Sequence, residues 1–177
     1  MLIDAMTKQE CREVLAQVSF GRLACSLGDQ PYVVPVCLAY EPDNIYVLSI
    51  PGKKIEWMRA NPRVCIQVDK IADQSRWASV IVNGWYEELR AIQYAAEREH
   101  ARRLLEKRSL RWLDAFAARQ FQSGDKLIEP LFFRVRPHSI TGVRAADAIG
   151  ESGWMKKPVA SVGVLDTVAT GRLRSES

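Results

Sequence analysis

Phe20-Gly-Arg-Leu-Ala-Cys-Ser-Leu27, Gly28-Asp-Gln30, Pro31-Tyr-Val-Val-Pro-Val-Cys-Leu-Ala-Tyr40, Glu41-Pro-Asp-Asn44, Ile45-Tyr-Val-Leu-Ser-Ile50: this run decides the fold. Residues 20–27 alternate, with Leu23, Cys25 and Leu27 on one face, the period of a half-buried strand. Gly28-Asp-Gln30 supplies a turn, and 32–40 reads as the partner strand of a hairpin. A second turn at Glu41-Pro-Asp-Asn44 leads into a third strand over 45–50. Such short links permit only antiparallel pairing, because a parallel crossover needs a dozen or more residues.

Upstream, Thr7-Lys-Gln-Glu10 fits a capping box and predicts a helix over about 8–17, with Cys11, Val14, Leu15 and Val18 at helical spacing. Downstream, Pro51-Gly52 punctuates the chain and 53–60 reads as a short helix. Asn61-Pro62 ends it, since proline disfavours helix at the residue before it. Val64, Ile66 and Val68 alternate as a fourth strand. Residues 77–89 form a long one around Gly84, a bulge or a point of close packing. Residues 92–121 read as one or two helices, with Leu105, Trp112, Leu113, Phe116 and Ala117 on one face and a break near Lys107-Arg-Ser109. Two last strands, 131–135 and 140–144, flank Pro137. Beyond about Ala146 no period survives, so the chain divides into a domain over 1–146 and a loose tail over 147–177. Six or seven antiparallel strands with peripheral helices imply an α+β domain built on a small barrel.

Composition bounds the function. The chain has 177 residues, 47% of them hydrophobic, enough for a core and too apolar for a wholly disordered protein. Its longest apolar stretch, 33–40, holds a proline and falls far short of the roughly 20 residues a membrane helix needs. The N-terminal residues have neither a basic region nor an apolar signal core, so a cytoplasmic protein is expected. Cys11, Cys25, Cys37 and Cys65 form no C-x-x-C pair and lie far in sequence from His100 and His138. They read as reduced core thiols, with no metal site. The net charge of +4 arises largely within 90–136, where Glu97, Glu99 and Glu106 interleave with the cations. That is the pattern of a solvated helix, and nucleic-acid binding is not expected.

The chemistry concentrates in Tyr46-Val-Leu-Ser-Ile-Pro-Gly-Lys-Lys54. A strand ends in a hydroxyl residue, turns through Pro-Gly and enters a helix with two lysines in its first turn. Cations are misplaced at that end, where unsatisfied amides already carry positive charge. An anion there would resolve the conflict: free N–H groups, Ser49 and an ammonium would converge on a phosphate. The alternative is a pair of lysines solvating a surface turn. Two further segments draw notice. Pro35 in Tyr32-Val-Val-Pro-Val36 cannot donate to a ladder, and Ser79 in Trp77-Ala-Ser-Val80 sets a hydroxyl among apolar residues, as an edge-strand serine also would.

Taken together, Gly21-Arg-Leu-Ala24, Pro31-x-x-x-Pro-Val36, Ile45-Tyr46 with Ser49 and Gly52-Lys53-Lys54, Asn61-Pro-Arg-Val64, Trp77-x-Ser-Val80 with Gly84, and Phe133-Arg-Val-Arg-Pro137 with Thr141-Gly142 resemble the pyridoxamine 5′-phosphate oxidase-related flavin-binding proteins. The branch containing the 5-nitroimidazole-resistance proteins is the most similar, over roughly residues 5–145. The resemblance implies an FMN-binding split β-barrel acting as a homodimer, with flavin between the subunits. It implies that Ser49, Lys53 and Lys54 hold the FMN phosphate and that Ser79 approaches the phosphate or ribityl chain. The backbone of Val34, Pro35 and Val36 would lie beside the flavin ring. Trp77 carries over either to the cofactor or to the dimer interface. One position departs from that branch: Leu48-Ser49 stands where His-Ser is common.

The function the resemblance implies is FMN-dependent oxidoreduction of a small molecule. The alternatives are a non-catalytic flavin-binding or storage protein and a haem-binding protein on the same barrel. No Ser-His-Asp, Cys-His or paired-carboxylate arrangement suggests separate acid–base machinery, so the chemistry would be the cofactor's.

Overall fold

In the computed structural model, which describes residues 2–108 and 130–146, the run from 20 to 50 is three consecutive antiparallel strands. The elements are β1 (Leu2–Ala5), α1 (Lys8–Gln17), β2 (Phe20–Leu27), β3 (Gln30–Glu41), β4 (Asn44–Ser49), α2 (Lys53–Ala60), β5 (Arg63–Ile71), β6 (Trp77–Glu88), α3 (Ala95–Arg108) and β7 (Leu131–Ala146). A short 3-10 turn, Ile92–Tyr94, precedes α3. The strand order is β1-β7-β4-β3-β2-β5-β6, and β7 also pairs with β6. Six strands therefore close on themselves and β1 flanks β7. The fold is an α+β split β-barrel.

The split lies in β3. Over residues 30–37 this strand pairs only with β2, and its ladder to β4 begins at Leu38. Leu38 donates its N–H to the Ser19 carbonyl on the β2 side. Alternation then puts the amides of Val34 and Val36 on that side and turns positions 33 and 35 to the open edge. Pro35 lacks only a donor that no strand would have accepted.

Thr7 and Glu10 form the expected capping box, and Glu10 also pairs with Arg144 of β7. From α1, Cys11, Val14 and Leu15 enter the barrel core. They join Leu23, Leu38, Ile45, Val47, Ile66, Val80, Phe133 and Val135 of the strands, and Ile55 and Met58 of α2. Outside the barrel, α3 covers β3 and β4 by packing Ala101 and Leu105 on Ala39, Tyr46, Leu48 and Leu89. An ion-pair network fixes it there: Arg134 bridges Glu87 and Glu97, and Tyr94 and Tyr46 donate to those same two carboxylates.

One expectation is corrected and two details are added. The final two strands are one, β7, running unbroken through Pro137. Opposite Asn83 and Gly84 stand Ser139 and Pro137, so His138 is the extra residue of a bulge, and a bulge tolerates proline. Leu27 shares the face of Leu23 and Cys25, as expected, and is exposed because it ends the hairpin. β1 was not expected, because four exposed residues carry no period. Residues 109–129 and 147–177 lie outside the described residues, and with them the later part of the 92–121 helical expectation and the tail. All four cysteines are free, and among the described residues no cluster could hold a metal. Among those residues, no helix is long and apolar enough to cross a membrane.

Gly84 is required by close approach: a Cβ there would stand 2.5 Å from the Arg136 carbonyl oxygen and 2.6 Å from Val135 Cγ1. Gly84→Ala is expected to lower stability by about 1–3 kcal/mol in urea denaturation, since backbone must shift to admit the methyl. Unchanged stability would contradict this packing. A pH effect follows from Tyr46, whose phenol is pushed up to about 12 by burial and by its bond to Glu97. Below the unfolded value near 10 its stabilising effect is complete. It is lost as pH rises from there through the folded value, because the unfolded phenol ionises first. The urea midpoint is therefore expected to fall between about pH 10 and 12, with tyrosinate absorbance rising as the chain unfolds. A flat midpoint across that window would contradict it.

Candidate functional site

The split is bounded by the free half of β3 and by the turn that carries β4 into α2. At that turn Gly52 has φ 154° and ψ −172°, a conformation only glycine adopts readily. It stands as N-cap with no side chain capping the helix, and its carbonyl accepts from the amides of Ile55 and Glu56. The preceding amides of Lys53 and Lys54 open the helix at its positive end.

The two lysines differ. Lys53 lays its ammonium 4.8 Å from the ring centre of Tyr32 and 4.5 Å from that of Trp57, so it is held by cation–π contact. Tyr32 belongs to the free half of β3, and this contact joins the split to the helix start. Lys54 is half-buried, with no hydrogen bond or ion pair among the described residues. Burial pulls its ammonium below the usual value, and nearby Cys25 works the other way. Burial raises the Cys25 thiol, against the pull of Lys54 and Lys53, so it stays protonated.

Ser49 closes β4 opposite Leu131, buried, with its hydroxyl donating to the Ile50 carbonyl at 3.0 Å. Val34 and Val36 turn their side chains to the core, and Pro35 is exposed. Leu48 lies beneath α3 in the outer cluster and does not face the core side, where Ser49 is turned. The fold thus gathers Val34, Pro35, Val36, Lys53 and Lys54 around the split, with Ser49 at its margin.

Trp77 and Ser79 are elsewhere. They point outward from the start of β6, where Ser79 accepts from the Gln67 side chain at 3.3 Å. Through the β2–β5–β6 register, Cys25 stands level with Gly84, five residues from Ser79. That is about 16 Å along the strands, besides two strand spacings. One chain alone does not bring these residues to the lysines.

Two features escaped the sequence reading. Trp57, one helical turn after Lys53, completes the aromatic bed of that ammonium; the i, i+4 spacing was the available signal. On the outer sheet face a groove of about 560 Å³ is lined by Ser26, Arg63, Cys65, Asn83, Trp85 and His138. Arg63 stacks over Trp85 at 5.5 Å, and His138 is aimed there by the bulge. No sequence signal marked the bulged residue.

The fold and its open seam define the class: a split β-barrel with an uncapped, lysine-bearing helix start. The pyridoxamine 5′-phosphate oxidase family matches this chain over residues 7–144, and the chain belongs to that family. It is 40% identical over 149 residues to an uncharacterized protein of Rhizobium meliloti (strain 1021), covering 84% of this chain and 98% of that one. The crystal structure of an FAD-binding protein from Mesorhizobium loti is similar at 40% identity and a TM-score of 0.68, covering 83% of this chain and 99% of that one. The FAD-binding protein of Mycobacterium smegmatis shares the fold at 21% identity and a TM-score of 0.55, covering 78% of this chain and 97% of that one.

Proposed function

We propose that this chain binds a flavin nucleotide, FMN in its smallest form, along the split and acts as a flavin-dependent oxidoreductase. The observation that carries the reading is Lys54: a half-buried ammonium without a partner among the described residues, beside a helix start without a side-chain cap. Such a charge is costly unless an anion pairs with it, and a phosphate fits both the ammonium and the amides. The name of the Mesorhizobium loti relative supports flavin as the group bearing that phosphate.

In this reading the first turn of α2 holds the phosphate and the backbone of Val34, Pro35 and Val36 lines the ring. Ser49 closes the seam. When bound, the flavin supplies hydride and electron transfer. The chain's own work is to bind, orient and exclude water. Trp77 and Ser79 reach the site from a second copy, whose outer sheet face packs against this one. That face exposes Phe20, Ile71, Ile81, Trp85 and Val143, an apolar set that a homodimer would cover.

The test is the visible spectrum of the purified protein, before and after incubation with FMN or FAD, followed by NAD(P)H and an electron acceptor. Flavin bands that bleach and recover are expected. A protein that stays colourless with both flavins, or shows a haem Soret band instead, would overturn the reading. Flavin bands that never bleach would leave a binding protein and remove the oxidoreductase.

A further inference from the structure

The outward side chains of β6 present the same chemistry from either end. Trp77, Ser79, Ile81, Asn83 and Trp85 alternate with the buried positions of the strand. They run indole, small polar group, aliphatic centre, small polar group, indole, and neither indole belongs to the core. A closed two-fold contact needs such a surface, because when residue i touches residue j of the partner, j also touches i. A two-fold axis crossing the strands at Ile81 sets Trp77 against the partner's Trp85. It sets Ser79 against the partner's Asn83 and Ile81 against the partner's Ile81.

The two ends differ as a knob differs from a socket. The groove of about 560 Å³ lies at the Trp85 end, among Arg63, Cys65, Asn83 and His138, and Trp77 takes no part in its lining. A buried indole needs an acceptor for its N–H. Asn83 donates its amide to Ser139 Oγ at 3.3 Å, and its side-chain carbonyl accepts from no group among the described residues. Charge fits as well. Arg63 has no acidic partner among those residues. On β5 the same axis passes Gln67, the neighbour of Ile81, so the partner's Asp69 falls beside Cys65, one outward position from Arg63. From Trp77 to Trp85 the face runs about 26 Å, and with the outward residues of β2, β5 and β7 it spans about 14 Å across. Such a face is of the order that each partner gives a stable dimer, roughly 800 Å² of accessible surface.

We infer that the groove is the socket for the partner's Trp77, in a homodimer whose two-fold axis crosses β6 at Ile81. An axis running along the strands would set Trp77 on the partner's Trp77 and leave the groove without an occupant. This inference rests on the homodimer of the preceding reading and supplies its geometry. Asn83 pairs with Cys65 and Cys65 with Ala24, next to Cys25, whose thiol feels both lysines. The partner's Ser79, over Asn83, thus comes to the level of the lysines from which Ser79 of the same chain is remote.

Light scattering on Ser79→Lys, on Asn83→Asp and on their mixture tests it. Each variant alone is expected to be monomeric at micromolar concentration, since an unpaired charge would be buried on both sides of the axis. Mixed, they should form a heterodimer. The ammonium at 79 then meets the carboxylate at 83 across one half of the contact, and the other half keeps its serine and asparagine. Rescue on mixing also shows that both variants fold. Trp77→Ala and Trp85→Ala should each weaken the wild-type dimer about ten-fold or more, and the double variant hardly further, as two ends of one contact. Single charge variants that stay dimeric, a mixture that stays monomeric, or tryptophan losses that add in full would overturn the inference. So would a monomeric wild type. A dimer that assembles in this way and never takes up flavin would defeat the flavin reading alone.

Discussion

Lys54→Ala is expected to emerge from purification without flavin, and to bind added FMN roughly ten- to hundred-fold more weakly than wild type. The size follows from one charge-assisted hydrogen bond, about 1.5–3 kcal/mol in a partly dry setting. Lys53→Ala should lose less, because that ammonium already rests on the rings of Tyr32 and Trp57 and only part of its field reaches the split. The substitution at Lys54 also removes a desolvated charge from the empty protein, so Lys54→Ala should be at least as stable as wild type while binding worse. That pairing of outcomes separates a ligand-binding lysine from a structural one. Undiminished FMN affinity in Lys54→Ala would show that both lysines merely solvate the turn.

Ile81→Asp is expected to have a larger and different effect: a monomer that no longer retains flavin. Ile81 projects from the middle of β6, flanked across the sheet by Gln67 and Thr141, and its side chain stands in the outward apolar set. A carboxylate buried there without a partner costs several kcal/mol on each side of a two-fold contact. Loss of flavin follows because Ser79 lies about 16 Å along the strands from the level of Cys25 beside Lys54 of its own chain, and Trp77 two residues further. Light scattering and bound-flavin content, measured on one sample, check both halves. A wild-type monomer that binds flavin, or a monomeric Ile81→Asp that binds it undiminished, would contradict the shared site.

The barrel was legible because its strands announce themselves. Alternation in 20–27, 64–68 and 77–89, with short polar turns, left little but an antiparallel sheet, and Thr7 with Glu10 marked α1 before any contact was seen. What failed was local reading of a long-range device. Pro137 looked like a break, and only its position opposite Gly84 turns it into part of a bulge within one strand. The role of Pro35 was half visible: the sequence said that a donor was missing, and the topology showed that it faces an open edge. At the site, the strand–turn–helix element carried its own signal in two cations at a positive helix end. Their unequal roles did not, since the ring contacts of Lys53 and the burial of Lys54 depend on Tyr32 and Cys25 of other strands.

The central claim is that the flavin phosphate sits at the start of α2, and the comparison of FMN with riboflavin tests it most directly. The two differ only in that phosphate, so titrating the flavin-free wild-type protein with each isolates its contribution. With an ammonium, the helix amides and the helix field acting on one dianion, FMN is expected to bind at least about a hundred-fold more tightly than riboflavin. Equal affinities for FMN and riboflavin would contradict the account.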